Sequence, residues 1–490
     1  MTFDADAAYQ ALTARDARFD GLWFVGVTST RVYCRPICRV RTPRRENCRF
    51  FDTPAQAEAA AFRPCLKCRP EIAPGPDLRW SVMDASRTLA TQAALELDHH
   101  ADRDVAPSVA GIARRLGVSD RHLRRIFMTE HGVTPLQYLQ TRRLLLAKQL
   151  LTDTKLPIAQ VALSSGYKSL RRFNAAFADS YRMSPSRLRG DVDEDTAVGD
   201  AGVNVMLAYR APYDVTSLLR FVALRAIDGI EQVDGQLIRR SVRAGAMAPT
   251  AGWVEAQFLP AAARVRLSFA PHWAGNSGSI VAAVRRWLDL DAAPATIDSV
   301  LADLPGAPGL RLPGSLDAFE LAVRAVLGQQ VTVAGARTLA RRVVEQFGEV
   351  VTTPWAPIVR AFPQPETLAA CGVDAIASLG IIRNRAQAII ALAQSWPVLS
   401  RQLNSNVAPP ELIAGLCALP GIGPWTAHYI AMRALGWPDA FPPNDVAALK
   451  ALQQGFDIGT QREAEHIAQK WRPYRAYAVL RLWNTLETKP

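Results

Sequence analysis

Four of the seven cysteines stand in two close pairs: Cys34-x3-Cys38 in "VYCRPICRVR" and, after 26 intervening residues, Cys65-x2-Cys68 in "FRPCLKCRP". Two short-spaced thiol pairs can supply every ligand of a tetrahedral zinc ion, and the spacing predicts one Zn2+ in a four-cysteine site. Cys48, between the pairs, reads as a core or half-buried thiol. The setting is basic, with ten Lys/Arg against three Asp/Glu over residues 31–69. A zinc ion with four thiolates carries a formal charge of about 2−, so a polyanion can approach it only if cations surround it. Arg35, Arg39, Arg41, Arg44, Arg45, Arg63 and Arg69 are the candidates. A second constellation lies far downstream. In "LPGIGPWTA" (Leu419–Ala427), Gly421 and Gly423 let backbone approach a phosphate, Pro424 suits a first helical turn, and the next helix offers free N–H groups. Asp445 follows 22 residues after Gly423, inside "DAFPPNDVAALK". Its plain alternative is a helix N-cap, which Asn444 could serve equally well.

The elements that must position these groups fall into several domains. A chain of 490 residues is long for one core, and 49% hydrophobic with 21% charged residues describes a folded protein. The net charge of +12 points to nucleic acid as partner. No apolar run is long enough to span a bilayer and no signal peptide is visible, so the protein is expected to be cytoplasmic, where clustered cysteines bind metal more often than they form disulfides. "PEIAPGPD" (70–77) closes the cysteine region, and "GDVDEDTAVGDAGVN" (190–204) reads as an acidic linker. Between them lies an internal repeat. "IARRLGVS" from Ile112 and "VALSSGYKS" from Val161 each place Ala second and Gly sixth, and each leads into an Arg-rich amphipathic stretch. Both units read as helix, turn, helix, with Ser119 a plausible N-cap. Residues 107–189 hold fifteen Lys/Arg against four Asp/Glu. Arg121, Arg124 and Arg125 in the first unit, and Lys168, Arg171 and Arg172 in the second, are the candidates for major-groove contact; any one alone reads as a solvated helix face. From 205 to about 305, short alternating runs suggest strands with a few helices; helical periodicity dominates from 315 on.

Three resemblances follow from these stretches. "YCRPICRVR…ENCRFF…AEAAAFRPCLKCRP" closely resembles the N-terminal domain of Ada-type DNA methylation-repair proteins. The resemblance implies that Cys34 accepts a methyl group from a DNA methyl phosphotriester, with Cys38, Cys65 and Cys68 completing the zinc shell. Methylation would lower the negative charge of the centre and tighten DNA binding. The segment containing "SSGYKSLRRFNAAFADSYRMSPSRLR" resembles the AraC-type transcription activator domain. Residues 205–490 are similar to AlkA-type 3-methyladenine DNA glycosylases of the helix-hairpin-helix superfamily, through "APYDVTSLLRFVALRAI", "GLRLPGSLDAFELAVRAVLGQQVTV", the hairpin and "WRPYRAYAVLRLW". This implies a flipped base stacked on Trp425, Tyr429 and Trp483, and Asp445 stabilising an oxocarbenium-like sugar and orienting the attacking water.

Some positions depart from those families. Trp425 stands where backbone-cutting hairpin glycosylases carry Lys, which implies a monofunctional enzyme. Cys371 and Cys417 alone lie beyond residue 68, which excludes a four-cysteine iron–sulfur cluster in that half. Val446 replaces the family Tyr after the Asp, and Gln330 aligns with the Leu wedge. No "PCHR"-type motif occurs, so direct reversal of O6-methylguanine is not expected.

The expected architecture is multidomain. It comprises a small α/β zinc domain (1–76), an all-α double helix-turn-helix domain (80–189), a linker (190–204), an α+β AlkA-type N-terminal domain (205–308) and an all-α helix-hairpin-helix glycosylase domain (309–490). The expected protein is monomeric, with alkylated and promoter double-stranded DNA as its partners and RNA polymerase as a further candidate. Two rival readings stand beside it: a methylation-sensing regulator whose C-terminal half only binds DNA, and an enzyme whose zinc is merely structural.

Overall fold

A short N-terminal sheet joins the two cysteine pairs. The computed structural model describes residues 4–75, 85–99, 108–189, 202–404, 408–456 and 458–487. It opens with α1 (Ala5–Ala14), β1 (Phe24–Val27), β2 (Val32–Cys34), β3 (Cys48–Phe51), α2 (Pro54–Ala59) and β4 (Arg63–Pro64). The strand order is β3-β1-β2-β4. β1 runs antiparallel to β2, with Val25 opposite Cys34, whereas β2 runs parallel to β4, with Tyr33 opposite Pro64. Parallel neighbours end at the same edge. Cys34, closing β2, and Cys65, following β4, therefore emerge side by side, and the Cys65 N–H donates to the Tyr33 carbonyl at 3.0 Å. Alternation sorts the side chains. Val25 and Cys34 face a core shared with Trp23 and α1, while Phe24 and Tyr33 face Phe51 and Phe62 on the other side.

The internal repeat forms two helix-turn-helix units. The helices are α3 (Ala85–His99), α4 (Val109–Arg115), α5 (Asp120–His131), α6 (Pro135–Asp153), α7 (Ile158–Ser164), α8 (Leu170–Tyr181) and α9 (Pro185–Arg189). The repeated glycines, Gly117 and Gly166, hold φ of +70° and +77° in the two turns, a region glycine enters without steric cost. Ser119 and Ser169 cap α5 and α8. Thr134 and Gln137 form a capping box ahead of α6.

α6 also carries a buried polar seam to the cysteine region. Glu58 accepts from Tyr33 (3.1 Å) and from Thr141 of α6 (2.9 Å), and burial pushes its carboxyl up to about 7. Lys148 Nζ lies 2.5 Å from Glu71, both almost fully buried, and Arg69, next to Cys68, bridges Glu71 (2.9 Å) and Asp153 (2.6 Å). Removing one member strands a buried charge. Lys148→Met is expected to lower unfolding free energy by about 3 kcal/mol, because Arg69 still faces Glu71; an unchanged urea midpoint for the N-terminal unit would contradict this.

The later elements are β5 (Val203–Ala208), α10 (Val215–Arg225), β6 (Glu231–Asp234), β7 (Leu237–Val242), β8 (Gly252–Leu259), β9 (Arg264–Phe269), α11 (Ser277–Trp287) and α12 (Pro294–Val300). They continue as α13 (Ala318–Leu327), α14 (Val333–Phe347), α15 (Pro365–Ala369), α16 (Val373–Ala377), α17 (Arg383–Asn404), α18 (Pro409–Cys417), α19 (Pro424–Ala434), α20 (Val446–Gly455), α21 (Gln461–Ile467) and α22 (Arg475–Glu487). Residues 1–211, 261–282 and 290–292 form one compact unit; residues 212–260, 283–289 and 293–490 form the other. In the first, β5 pairs antiparallel with β9. β5 is held to α6 by Asp153, which accepts from the Met206 N–H (3.0 Å), and by Gln149, which donates to the Met206 carbonyl (2.9 Å). In the second, β6, β7 and β8 form an antiparallel meander. The segment expected as one α+β domain thus contributes strands to both units. Residues 190–201 of the expected linker, and 76–84 at the junction of the first two expected domains, lie outside the described residues.

The helical core of the second unit centres on α13, whose Phe319, Val323 and Val326 are buried against α14, α17, α18 and α19. α18 and α19 form the hairpin, with Pro424 at the first turn of α19 as its fixed φ favours. The packing of α20 beside α22 brings Asp445 to Trp483.

Candidate functional site

The Sγ atoms of Cys34, Cys38, Cys65 and Cys68 all lie within 4.8 Å of one another, and none forms a disulfide. Cys34, Cys38 and Cys65 are buried; Cys68 is more exposed. A tight turn places the second sulfur, with the Cys38 N–H donating to the Arg35 carbonyl (3.1 Å). Four converging soft donors without an S–S bond fit a thiophilic divalent metal such as zinc. Cys48 stands apart from this set, its thiol directed at the Arg44 carbonyl (3.3 Å).

The arginines around the sulfurs divide into two groups. Arg35 corrects the expectation that it faces a DNA phosphate. It is only 2% exposed, pairs with Asp20 through Nε (2.8 Å) and Nη2, and donates through Nη1 to the Cys68 carbonyl (3.0 Å). A guanidinium this buried and already paired with a carboxylate has no path to a phosphate; it braces the second cysteine pair. Arg69 is likewise held by Glu71 and Asp153. Arg39, Arg41 and Arg44 are exposed, and Arg45 is half-exposed, over the Phe50 ring and 2.9 Å from Asp6.

In the helix-turn-helix region Arg121, Arg124 and Arg125 are exposed on α5, Arg171 and Arg172 on α8, and Lys168 in the turn before α8. Arg124 pairs with Asp120 (3.0 Å) and Arg125 contacts the His122 ring (3.1 Å), both exposed pairs of little energetic weight.

The second unit contains a cavity of about 410 Å³ lined by Trp425, Tyr429, Trp483 and Asp445. That volume is within the range of small-molecule pockets. Asp445 is 4% exposed and caps α20, accepting from the Ala448 N–H at 2.7 Å. Asn444 does not take the cap, because its φ of +57° is left-handed whereas an N-cap is extended. Two indoles complete the shell: Trp425 Nε1 donates to Oδ2 (2.7 Å) and Trp483 Nε1 to Oδ1 (3.1 Å). Trp425 and Tyr429 stack with ring centroids 5.2 Å apart and planes 9° from parallel. No third ring fits between them, so a planar group in the cavity can reach only an outer face of this pair or Trp483. Val446 is 78% exposed.

Beside the cavity, Gln330 is exposed at φ +54°, and its neighbours Gly328 and Val331 line the wall. Gln329, which sequence reasoning missed, ties this strained loop to the hairpin by donating to the Gly421 carbonyl (2.9 Å) and to Thr426 (3.1 Å). Gly421 and Gly423 are exposed in that turn. Gly421 holds φ +78°, and a Cβ there would meet Ala388 at 2.8 Å, so the turn tolerates no side chain. Also missed were Arg225, Arg324, Arg337 and Arg433, which line the same cavity. Arg433 was detectable: it stands four residues after Tyr429 on α19, hence on the same helix face.

Comparison with known proteins finds four family matches along the chain. Residues 7–71 match the metal binding domain of Ada and 112–191 a helix-turn-helix domain. Residues 204–317 match the AlkA N-terminal domain, and 323–474 match the HhH-GPD superfamily of base excision DNA repair proteins. The chain thus joins an Ada-type metal domain and a helix-turn-helix to a helix-hairpin-helix repair module. The chain is 36% identical over 99% of its length, and 97% of the relative's, to a "Probable bifunctional transcriptional activator/DNA repair enzyme AlkA" of Mycobacterium tuberculosis (strain CDC 1551 / Oshkosh). It belongs to this family of bifunctional transcriptional activator/DNA repair proteins. "DNA-3-methyladenine glycosylase 2" of Escherichia coli (strain K12) is 34% identical over 58% of this chain and 98% of its own length. "Bifunctional transcriptional activator/DNA repair enzyme Ada" of the same organism is 34% identical over 28% of this chain and 36% of its own length.

Proposed function

We propose that the protein is a DNA alkylation-damage response protein with two chemistries. The C-terminal half is a monofunctional DNA glycosylase that hydrolyses the N-glycosidic bond of alkylated bases such as 3-methyladenine. The N-terminal domain accepts a methyl group from DNA methyl phosphotriesters on Cys34, once per molecule, and the paired helix-turn-helix units then bind promoters and activate transcription. The observation that carries the enzyme is a buried carboxylate, Asp445, held by two indole N–H groups at the wall of a base-sized cavity beside the hairpin.

In the glycosylase, the flipped base enters the pocket of Trp425, Tyr429 and Trp483 and stacks on an outer face of the Trp425–Tyr429 pair or on Trp483, and the hairpin backbone at Gly421 and Gly423 receives a phosphate. The C1′–N bond breaks with its electron pair leaving on the base. A carboxylate has about four lone-pair sites, and the three protein donors on Asp445 leave room to orient one water while its charge faces the cationic sugar. In the metal domain, Cys34, Cys38, Cys65 and Cys68 would hold one zinc ion, which when bound keeps the sulfurs as thiolates at neutral pH. Cys34 Sγ attacks the methyl carbon; the S–C bond forms as the C–O bond breaks, and the electron pair stays on oxygen to restore an anionic phosphodiester. Arg39 and Arg45 contact the DNA backbone, as do Arg121, Arg124 and Arg125 on α5 and Lys168, Arg171 and Arg172 around α8. RNA polymerase is a further partner in activation.

Exposure to methylated duplex DNA tests both halves together. Free 3-methyladenine should appear in solution, and peptide mass spectrometry should find one added methyl on Cys34 and none on the more exposed Cys68. Absence of any methylated cysteine would leave the metal structural, and absence of free base would leave the C-terminal half a DNA-binding module.

A further inference from the structure

The base cavity holds a polar device that stacking does not use. Arg433 Nη1 donates to the Tyr429 hydroxyl at 2.7 Å, while Nε and Nη2 are fixed on the Pro313 and Gly314 carbonyls at 2.7 and 3.1 Å. Its guanidinium also lies over the Phe221 ring, 4.9 Å from the centroid. Arg433 is therefore pinned at several points and cannot swing away from the phenol. A phenol has one proton to donate. With a cation donating into its oxygen, that proton must point elsewhere, and among the described residues the Tyr429 hydroxyl donates to no protein acceptor. Both Tyr429 and Arg433 line the cavity.

We infer that Arg433 polarises Tyr429 into a hydrogen-bond donor aimed at the departing base, making the pair a specificity determinant for neutral base lesions. The inference rests on the glycosylase reading and deepens it. A cationic alkylpurine leaves as a neutral molecule and needs no donor. A neutral lesion leaves with the glycosidic electron pair as an anion, and a donor placed where that charge develops stabilises the transition state more than the ground state. Water supplies hydroxide to C1′ and, in the end, the proton to the base, so Tyr429 donates a hydrogen bond and keeps its proton. The donor is strengthened because accepting from a cation draws density from the O–H bond. Burial alone would raise the Tyr429 phenol, but Arg433, with Arg225 and Arg324, outweighs burial and holds it below the ordinary tyrosine value.

The test compares two duplexes under single-turnover conditions, one containing hypoxanthine, a neutral purine with a carbonyl acceptor, the other containing cationic 7-methylguanine. Tyr429→Phe keeps a ring for stacking and removes the donor. It should lower hypoxanthine release about 100-fold more than 7-methylguanine release, the usual cost of one donor aimed at developing charge. Arg433→Met should move the ratio in the same direction by less, and Arg433→Lys should recover part of it, with thermal melting confirming that each variant is folded. Equal losses on both duplexes would reduce Tyr429 to a stacking surface and overturn the inference. Wild-type release of 7-methylguanine without hypoxanthine would overturn it and leave the glycosylase intact, whereas release of neither base would overturn both.

Discussion

Asp445→Asn should reduce base release from alkylated duplex DNA on the order of 10³-fold in a single turnover, while the protein still binds the duplex. The expected loss is large because, among the described residues, the carboxylate is the one acidic side chain at the cavity wall, where the sugar cation must develop. The substitution also has a structural cost that can be separated from the chemistry. Oδ1 accepts from Ala448 and Trp483, and Oδ2 from Trp425. Asparagine can keep its oxygen on the first two, but its amide then turns a donor toward the Trp425 N–H. Leaving that buried donor unmatched costs about 1–3 kcal/mol of stability. Trp425→Phe removes the same N–H bond while keeping the charge, so it should lose far less activity than Asp445→Asn. If the two variants lost activity equally, disturbance of the pocket, and not the missing charge, would explain the effect. Free-base chromatography with a parallel melting curve distinguishes the cases.

The parts of this architecture written in local spacing were legible in the sequence. The x3 and x2 cysteine pairs, the repeated Gly117 and Gly166, the serine cap at Ser119, Pro424 at a first turn and the glycines of the hairpin each need only neighbours along the chain to declare themselves. The opposite case is Arg35. Its type and its basic surroundings indicate a surface cation, yet Asp20, fifteen residues earlier, and the Cys68 carbonyl, 33 residues later, draw it into the core. Glu71 and Lys148 are separated by 77 residues, and nothing in the periodicity of either segment marks them as partners. Asp445 shows a subtler limit. The sequence offered cap or catalytic carboxylate as alternatives, but geometry permits both: one oxygen serves the helix and an indole while the other faces the second indole. The polarised Tyr429 lay between these extremes, since helix spacing brings Arg433 to it, but only the fixed carbonyls of Pro313 and Gly314 show that the arginine cannot leave.

Cys38→Ser should empty the metal site and unfold the N-terminal sheet. The reason is the size of what would remain. β2 has three residues and β4 two, and Trp23, Val25 and the sulfurs themselves meet the small Ala8 and Ala11 of α1. A module this small rarely folds on its core alone, and a structural zinc site contributes roughly 10–16 kcal/mol of apparent binding energy to folding. Serine is nearly the same shape but offers a poor, protonated ligand. The variant should therefore carry much less than one zinc per chain by elemental analysis, and it should be cut rapidly by protease within residues 4–75. A chelator should do the same to the wild type. Cys48→Ser is the matched control: its sulfur faces the Arg44 carbonyl and not the other four, so metal content and protease resistance should stay as in the wild type. If Cys38→Ser kept its zinc and its protection, the converging sulfurs would be packed thiols, and the proposed acceptor role of Cys34 would lose its support.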